Sequence, residues 1–221
     1  MSSPNSHPIF EPRPASWWER NAVPKLIGFC CAQPQIMKAR SRIVPKAEGD
    51  VLELGCGGGI NMQFYDPARI KSFSGLDPSP ALLDASRAAA QAKGMTADIR
   101  GGIGEAMPFA DASFDTILVT FTLCSVDEQA QVLKEMRRVL RPGGKALFLE
   151  HGRAPDASVQ AWQRRIEPVW KRIAGGCHLC RPVDRMLTDG GFRIERMETM
   201  YLPGTPRFAG FNSWGRAVKA A

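Results

Sequence analysis

Three glycines at alternating positions, Gly55, Gly57 and Gly59, follow a short apolar run that ends in Glu53 and Leu54. A strand that runs into glycines and then turns brings bare backbone close to a ligand, because glycine has no side chain to hold the ligand away. In doubly wound folds such a turn lies at the carboxyl edge of the sheet, where nucleotides bind. A dinucleotide loop needs its third glycine at position 60, which is isoleucine here. The spacing therefore indicates a loop for a different nucleotide-like ligand.

An acidic residue, Asp77, ends the next apolar run and is followed by Pro78. A carboxylate at the end of a second parallel strand can accept both hydroxyls of a ribose. Taken alone, an Asp before a proline is also typical of a turn or a helix cap. Glu53 has the charge to attract a positively charged part of the same ligand.

Two further landmarks follow in order, residues 104–109 leading into Phe114 and Asp115, and residues 138–144 ending in two glycines. Together with the glycine loop and Asp77, they resemble class I S-adenosylmethionine (SAM)-dependent methyltransferases. The resemblance implies that SAM is the cofactor and S-adenosylhomocysteine (SAH) its product. The cofactor contacts that it implies are Glu53, Gly55, Cys56, Gly57, Asn61, Asp77, Pro78, Gly104, Glu105 and Thr120. Ile103 stands where quinone-methylating relatives often carry an Asp, so the backbone at Gly104 and Glu105 is expected to contact the adenine.

The methyl acceptor is indicated by the segments outside these motifs. Residues 120–126 lack the Asp/Asn-Pro-Pro-aromatic motif of nucleobase amino methyltransferases, and no carboxylate cluster suits metal-dependent catechol chemistry. From position 51 to 219 the chain resembles the alkyl-thiol S-methyltransferases and their bacterial relatives. The resemblance rests on residues 123–126, 148–151 and 215–219 and on Trp162, Gln163, Pro168, Trp170, Gly176, Cys177, Leu179 and Arg181. It implies methyl transfer to a small thiol or sulfide, giving a methyl thioether such as dimethyl sulfide.

A free alkyl thiol has a pKa near ~8.5, so a base or a positive charge near the sulfur would help it to ionise. His151 is the leading candidate for the base, although a histidine that caps a loop carbonyl is an equal alternative. His178 and Arg181 are candidates for orienting an anionic sulfur, or they lie on the surface. Cys124, Cys177, Trp162 and Trp170 are candidates for lining the acceptor pocket, with plain core packing as the alternative.

Metal, nucleic acid and membrane partners receive little support. Cys177 and Cys180 have a metal-like spacing, but no second Cys/His pair completes four zinc ligands, so we expect no metal and reduced thiols. The net charge of +7 suits an anionic partner or a basic surface, and without an RNA-binding module we expect no nucleic acid. The polar start of the chain and the lack of a long apolar run predict a cytoplasmic protein without a transmembrane segment. Peripheral membrane contact and the oligomeric state stay open.

Strands that alternate with helices must position these residues, which predicts an α/β doubly wound, mostly parallel Rossmann-like sheet. We predict strands over residues 50–54, 70–76, 95–100, 114–120, 145–150, 192–197 and 210–219. Predicted helices cover residues 17–32, 34–44, 80–93, 127–140, 158–173 and 182–188, with a short one between the first two strands. Residues 1–46 are expected to form an N-terminal arm and a helical lid, and residues 47–221 the methyltransferase domain.

Two alternative functions stay open at this point. The general motifs also suit a quinone C-methyltransferase or a phosphatidylethanolamine N-methyltransferase. The second alternative, from a different class, is a protein that binds SAM or RNA without catalysis.

Overall fold

A single seven-stranded sheet forms the centre of the computed structural model, which describes residues 33–220. The order of the strands is β3-β2-β1-β4-β5-β7-β6, with β1 to β5 parallel and β7 antiparallel to both of its neighbours. The strands are β1 Gly49–Leu54, β2 Ile70–Asp77, β3 Ala97–Gly101, β4 Phe114–Thr120, β5 Leu140–His151, β6 Phe192–Tyr201 and β7 Phe211–Lys219. The predicted α/β doubly wound sheet is confirmed.

Helices cover both faces of the sheet. In the described part of the chain they are α1 Pro34–Ile43, α2 Pro80–Ala92, α3 Gln129–Val139, α4 Ala157–Ile173, α5 Val183–Asp189 and the short α6 Arg207–Gly210. Helix α2 begins after Ser79 with a proline in its first turn. A proline suits a helix start because it lacks a backbone N–H, and an N–H at this position would have no partner within the helix. The helix predicted over residues 17–32 lies outside the described residues.

The structure corrects three boundaries. Short 3-10 turns, Met62–Phe64 and Pro67–Arg69, replace the helix predicted between β1 and β2, because the preceding glycines and Pro67 do not sustain an α-helix. Strand β5 begins at Leu140, which pairs with Phe114 before an irregular register, so it starts before the predicted strand over residues 145–150. Gly210 ends α6 and does not begin β7.

Side chains of the buried strands point alternately to the two faces of the sheet, and this divides the core into two layers. Leu52 and Leu54 pack with Val132 and Met136 from α3, whereas Val51 packs in the layer that contains residues of α1 and α2. Helix α1, at the start of the described chain, contacts β5 and β7 and buries Ala39 and Ile43. It is therefore held against the sheet close to the carboxyl ends of the strands.

The carboxyl ends of β1, β2, β4 and β5 meet at one edge of the sheet, and the candidate site lies there. Leu54, Asp77, Thr120 and His151 are the last residues of these strands. Within residues 33–220 no helix is both long and apolar enough to span a membrane.

Candidate active site

The three alternating glycines of the loop after β1 are required for two different physical reasons. All three have positive φ angles. A side chain at Gly55 would clash with Thr122 Oγ1, and one at Gly59 would meet Ala89 Cβ of α2 at 2.8 Å. At Gly57 a Cβ would have no described atom within 4 Å. Gly55 and Gly59 therefore permit close packing within the protein, whereas Gly57 borders open space that a ligand can enter.

Asp77 connects the end of β2 to this loop. Its Oδ2 accepts a hydrogen bond from the Gly57 backbone N–H at 2.8 Å, and its Oδ1 accepts one from Ser79 N–H at 2.9 Å. Burial raises the pKa of the carboxyl above its ordinary value, while the two backbone donors lower it. Each oxygen keeps a free lone pair, so the carboxylate can still accept the two hydroxyls of a ribose.

The predicted adenine-side loop lies beside Asp77. Gly102 N–H donates to the Asp77 carbonyl at 3.1 Å, and a Cβ at Gly104 would contact Val132 at 3.2 Å. Glu105 is buried and its carboxylate accepts from Glu128 N–H at 3.2 Å. Pro78 is exposed next to Asp77. Cys56 is buried, and burial raises the pKa of its thiol to about 12, so it stays neutral within the loop.

A buried polar network joins the end of β1 to the end of β4. Glu53 accepts hydrogen bonds from Asn61 Nδ2 and from Tyr65 Oη, each at 2.8 Å. Asn61 Nδ2 also donates to Thr120 Oγ1 at 3.0 Å. Burial raises the pKa of Glu53 to about 7. A positively charged neighbour would therefore stabilise the ionised form of this carboxyl. We call these four residues, with Arg40, the polar network.

Arg40 and Phe121 belong to this region, although the sequence does not mark them. The Arg40 guanidinium donates from Nη1 to Asn61 Oδ1 at 2.8 Å and to Thr120 Oγ1 at 2.9 Å, and lies 5.1 Å from the centre of the Phe121 ring. Phe121 has a φ of 54°, a left-handed conformation that costs a residue with a side chain ~1–3 kcal/mol. Such strain is common where a backbone is held in place for function.

Buried Glu150, the residue before His151, holds the loop that follows β4. Its Oε1 accepts from Thr122 N–H at 2.8 Å and Leu123 N–H at 3.0 Å, and its Oε2 accepts from Cys124 N–H at 3.2 Å. Burial raises the pKa of this carboxyl, and the three backbone donors oppose the shift. Glu150 therefore fixes the position of Cys124 against the end of β5.

Cys124, His151 and Cys177, which we call the sulfur cluster, come together beside this loop. Cys177 Sγ lies 3.5 Å from Cys124 Sγ and 3.5 Å from His151 Nδ1. His151 is 6% exposed, and its buried Nε2 has no hydrogen-bond partner among the described residues. The Cys124 thiol lowers the pKa of Cys177 by donating to its thiolate, whereas Cys177 and burial raise the pKa of Cys124. All four described cysteines are free, and within the described chain the three cluster residues are the set with ligand atoms close enough to hold a metal ion.

Most of this chain is similar to known methyltransferases. The methyltransferase domain family model matches residues 52–148. The chain is 36% identical over 176 residues to thiol S-methyltransferase TMT1B of Rattus norvegicus, which covers 78% of this chain and 71% of that protein. The chain belongs to this methyltransferase family. The resemblance expected from its sequence is confirmed, and the protein is a SAM-dependent methyltransferase.

Two more distant proteins share parts of the methyltransferase. The ubiquinone/menaquinone biosynthesis C-methyltransferase UbiE of Dinoroseobacter shibae is 34% identical over 121 residues, 53% of this chain and 48% of its own length. A solved structure of a SAM-dependent methyltransferase from Methanosarcina mazei matches with a TM-score of 0.65 at 20% identity, over 85% of this chain and 97% of that chain. The latter likeness shows the fold alone.

The remaining predicted site residues of the methyltransferase lie around the sulfur cluster with other partners. His178 Nδ1 lies 2.9 Å from Glu167 Oε1, and burial lowers the pKa of the imidazole. Arg181 donates from Nη1 and Nη2 to the carbonyl oxygens of Leu123 and Val126, which holds its guanidinium against the loop. Burial lowers the pKa of Arg181, and negative charge on Cys124 or Cys177 opposes that shift.

The two tryptophans of α4 differ in their surroundings. Trp162 is 59% exposed, so it does not wall a pocket in this structure, because its position on the helix turns it to solvent. The Trp170 ring packs edge-on against Phe208, and its buried Nε1 lies on the side of Cys177, whose pKa it helps to lower. Of the two, Trp170 is the one placed beside the sulfur cluster.

Proposed function

We propose that this methyltransferase transfers the methyl group of SAM to a small thiol or sulfide, such as hydrogen sulfide, methanethiol or a short alkyl thiol. The observation that carries the proposal is the sulfur cluster, in which Cys124, His151 and Cys177 come together beside the carboxyl ends of β4 and β5. The relative that is 36% identical over most of this chain is named a thiol S-methyltransferase, which supports the proposal.

The reaction needs two contributions from the protein: alignment of the two sulfurs and a group that accepts the proton. SAM supplies a methyl group on a sulfonium, which is already an activated electrophile. The acceptor S–H bond must break, its sulfur must bond to the methyl carbon, and the electron pair of the broken C–S bond stays on the sulfur of SAH. Holding the two sulfurs in line supplies ~7 kcal/mol or more of the barrier reduction.

His151 is the group best placed to receive the acceptor proton. Its Nδ1 faces Cys177, which leaves Nε2 as the nitrogen without a described partner. A buried imidazole nitrogen that lacks a partner is costly, and an acceptor S–H that donates to it removes that cost. Burial raises the pKa of Glu150, the residue before His151, and the charge of a protonated His151 opposes that shift.

The direct test is to incubate the purified protein with SAM and each of hydrogen sulfide, methanethiol and a series of alkyl thiols, and to measure methylated product and SAH. We expect SAH in equal amount to the methylated sulfur product, and turnover that rises with pH as the thiolate fraction of the acceptor grows. Asp77→Ala serves as a control that lacks the ribose acceptor. Methylation of a quinol or of phosphatidylethanolamine without any thiol product would contradict the proposal and favour a quinone C-methyltransferase, as UbiE is named, or a lipid amine N-methyltransferase.

A further inference from the structure

Arg40 carries a buried positive charge that no carboxylate of the described chain pairs with directly. The residue is 3% exposed on α1, and its hydrogen bonds run from Nη1 to the side-chain oxygens of Asn61 and Thr120. Glu53 is close enough for Arg40 to lower its pKa, but the Glu53 oxygens are bonded to Asn61 and Tyr65. Burying a guanidinium without an anion costs free energy, because no ion pair offsets the loss of its hydration.

The unused part of this guanidinium is one complete edge. Within residues 33–220, Nε is buried and has no partner, and both hydrogen bonds of Arg40 come from Nη1, so Nη2 makes none there. Nε and Nη2 donate in parallel, which is the geometry that a carboxylate accepts with its two oxygens. The bonds from Nη1 and the Phe121 ring fix the orientation of this edge.

The surroundings indicate which carboxylate belongs there. Arg40 contacts the ends of β1 and β4 through Asn61 and Thr120, whereas Asp77, the expected ribose acceptor, ends β2 on the other side of the Gly57 opening. An adenosine held at Asp77 therefore directs its methionine portion toward the polar network. That network offers one acidic group, Glu53, and one basic group, Arg40, to a zwitterionic end that carries an ammonium and a carboxylate.

We propose that the Nε and Nη2 edge of Arg40 binds the carboxylate of the methionine portion of SAM and SAH. The proposal rests on SAM as the cofactor but not on the identity of the methyl acceptor. Arg40 is then a specificity residue, because it distinguishes SAM from adenosine thioethers that lack the carboxylate.

The test compares SAH with its decarboxylated analogue, S-adenosyl-3-thiopropylamine, by isothermal titration calorimetry on the full chain. The wild-type protein should bind SAH ~10- to 100-fold more tightly than the analogue, the scale of a lost pair of charged hydrogen bonds. Arg40→Met, which keeps the apolar stem, should weaken SAH by a similar factor and leave the analogue within ~3-fold. Arg42→Met is the matched control, because Arg42 is an exposed arginine of the same helix whose side chain contacts Met200 and Trp214.

Two results would overturn the proposal. Equal wild-type affinity for SAH and the analogue would show that no residue reads the carboxylate. An equal loss of affinity for both ligands in a folded Arg40→Met protein would show that Arg40 only positions Asn61 and Thr120. If Arg40→Met does not fold, Arg40→Lys keeps the charge without the parallel edge and should lose part of the discrimination. Because no acceptor is present, these outcomes do not depend on whether a thiol is methylated.

Discussion

The glycine-loop end of the site and the sulfur cluster are built on different physical principles. At the glycine-loop end, Asp77 already accepts two backbone hydrogen bonds, and the space beside Gly57 is shaped by backbone that lacks side chains. In the sulfur cluster, the Cys177 thiol lies 3.5 Å from Cys124 Sγ and from His151 Nδ1, and the other ring nitrogen of the buried His151 has no described partner. The first end is complete for binding a defined ligand, and the second is polarisable, weakly hydrogen bonded and suited to a sulfur acceptor.

The largest effect should come from Gly57→Val, which fills the opening of the glycine-loop end. We expect the affinity for SAM to fall ~100-fold or more, because the new side chain stands where the ligand must approach the backbone. Gly94→Val is a matched control, since Gly94 also has a positive φ and open space around it but lies at the end of α2. Calorimetry that gives both variants the wild-type affinity for SAM would remove Gly57 from the cofactor site.

His151→Ala should have the next largest effect, and it acts at the sulfur cluster. The rate near neutral pH should fall ~100-fold, the usual contribution of one general base, and should recover in part at higher pH, where the thiol ionises without help. His178→Ala should change the rate much less, because its Nδ1 is engaged by Glu167. Rates of thioether formation against pH for the three proteins test this. An equal loss in both variants, or a loss in His151→Ala that is the same at every pH, contradicts the role of His151.

Local sequence patterns were sufficient for the glycine-loop end. Gly55 directly follows one apolar run and Asp77 ends the next, so the strand that positions each residue can be predicted from its neighbours. The helix predicted between β1 and β2 was wrong, since glycine and proline in that segment favour 3-10 turns. Arg40 was missed because the sequence shows a basic cluster with Lys38, Arg42 and Lys46, and only the packing of α1 shows which of these charges is buried.

The sulfur cluster could be predicted only in part. Cys124 and His151 follow or end neighbouring parallel strands, so a position at one edge of the sheet could be expected for both. Cys177 joins them only through the path of the chain after α4, where its neighbour His178 donates its backbone N–H to the Cys124 carbonyl at 2.8 Å. The sequence named Cys124 and Cys177 as candidate pocket residues but could not show that they touch, and helical spacing alone could not show that Trp162 is more exposed than Trp170.

A smaller effect is expected from Asp77→Ala. The change removes the acceptors for the ribose and also frees the N–H groups of Gly57 and Ser79, so we expect a loss of about 1–3 kcal/mol in SAM binding. Asp84→Ala is a control, since Asp84 is an exposed acid on α2 whose carboxylate pairs with Arg87. Calorimetry with SAM and with methionine separates the ribose contact from a general loss, because the affinity for methionine should not change. A loss for both ligands would mean that Asp77 acts only by supporting the loop.

The smallest effect should come from Cys177→Ser, which tests whether the sulfur cluster reacts or only surrounds the acceptor. The pKa of the Cys177 thiol is lowered by the Cys124 thiol, as it would be for a nucleophile, but methyl transfer from SAM to a thiol needs no enzyme-bound intermediate. We therefore expect the rate to fall by ~10-fold or less, whereas removal of a true nucleophile costs several orders of magnitude. Cys180→Ser is the control for a change of cysteine outside the cluster, because Cys180 is a free, partly exposed cysteine three positions away. Mass spectrometry of the wild-type protein after incubation with SAM alone provides the second measurement, and a methyl group on Cys177 that passes to an added thiol would show that the cluster takes part covalently.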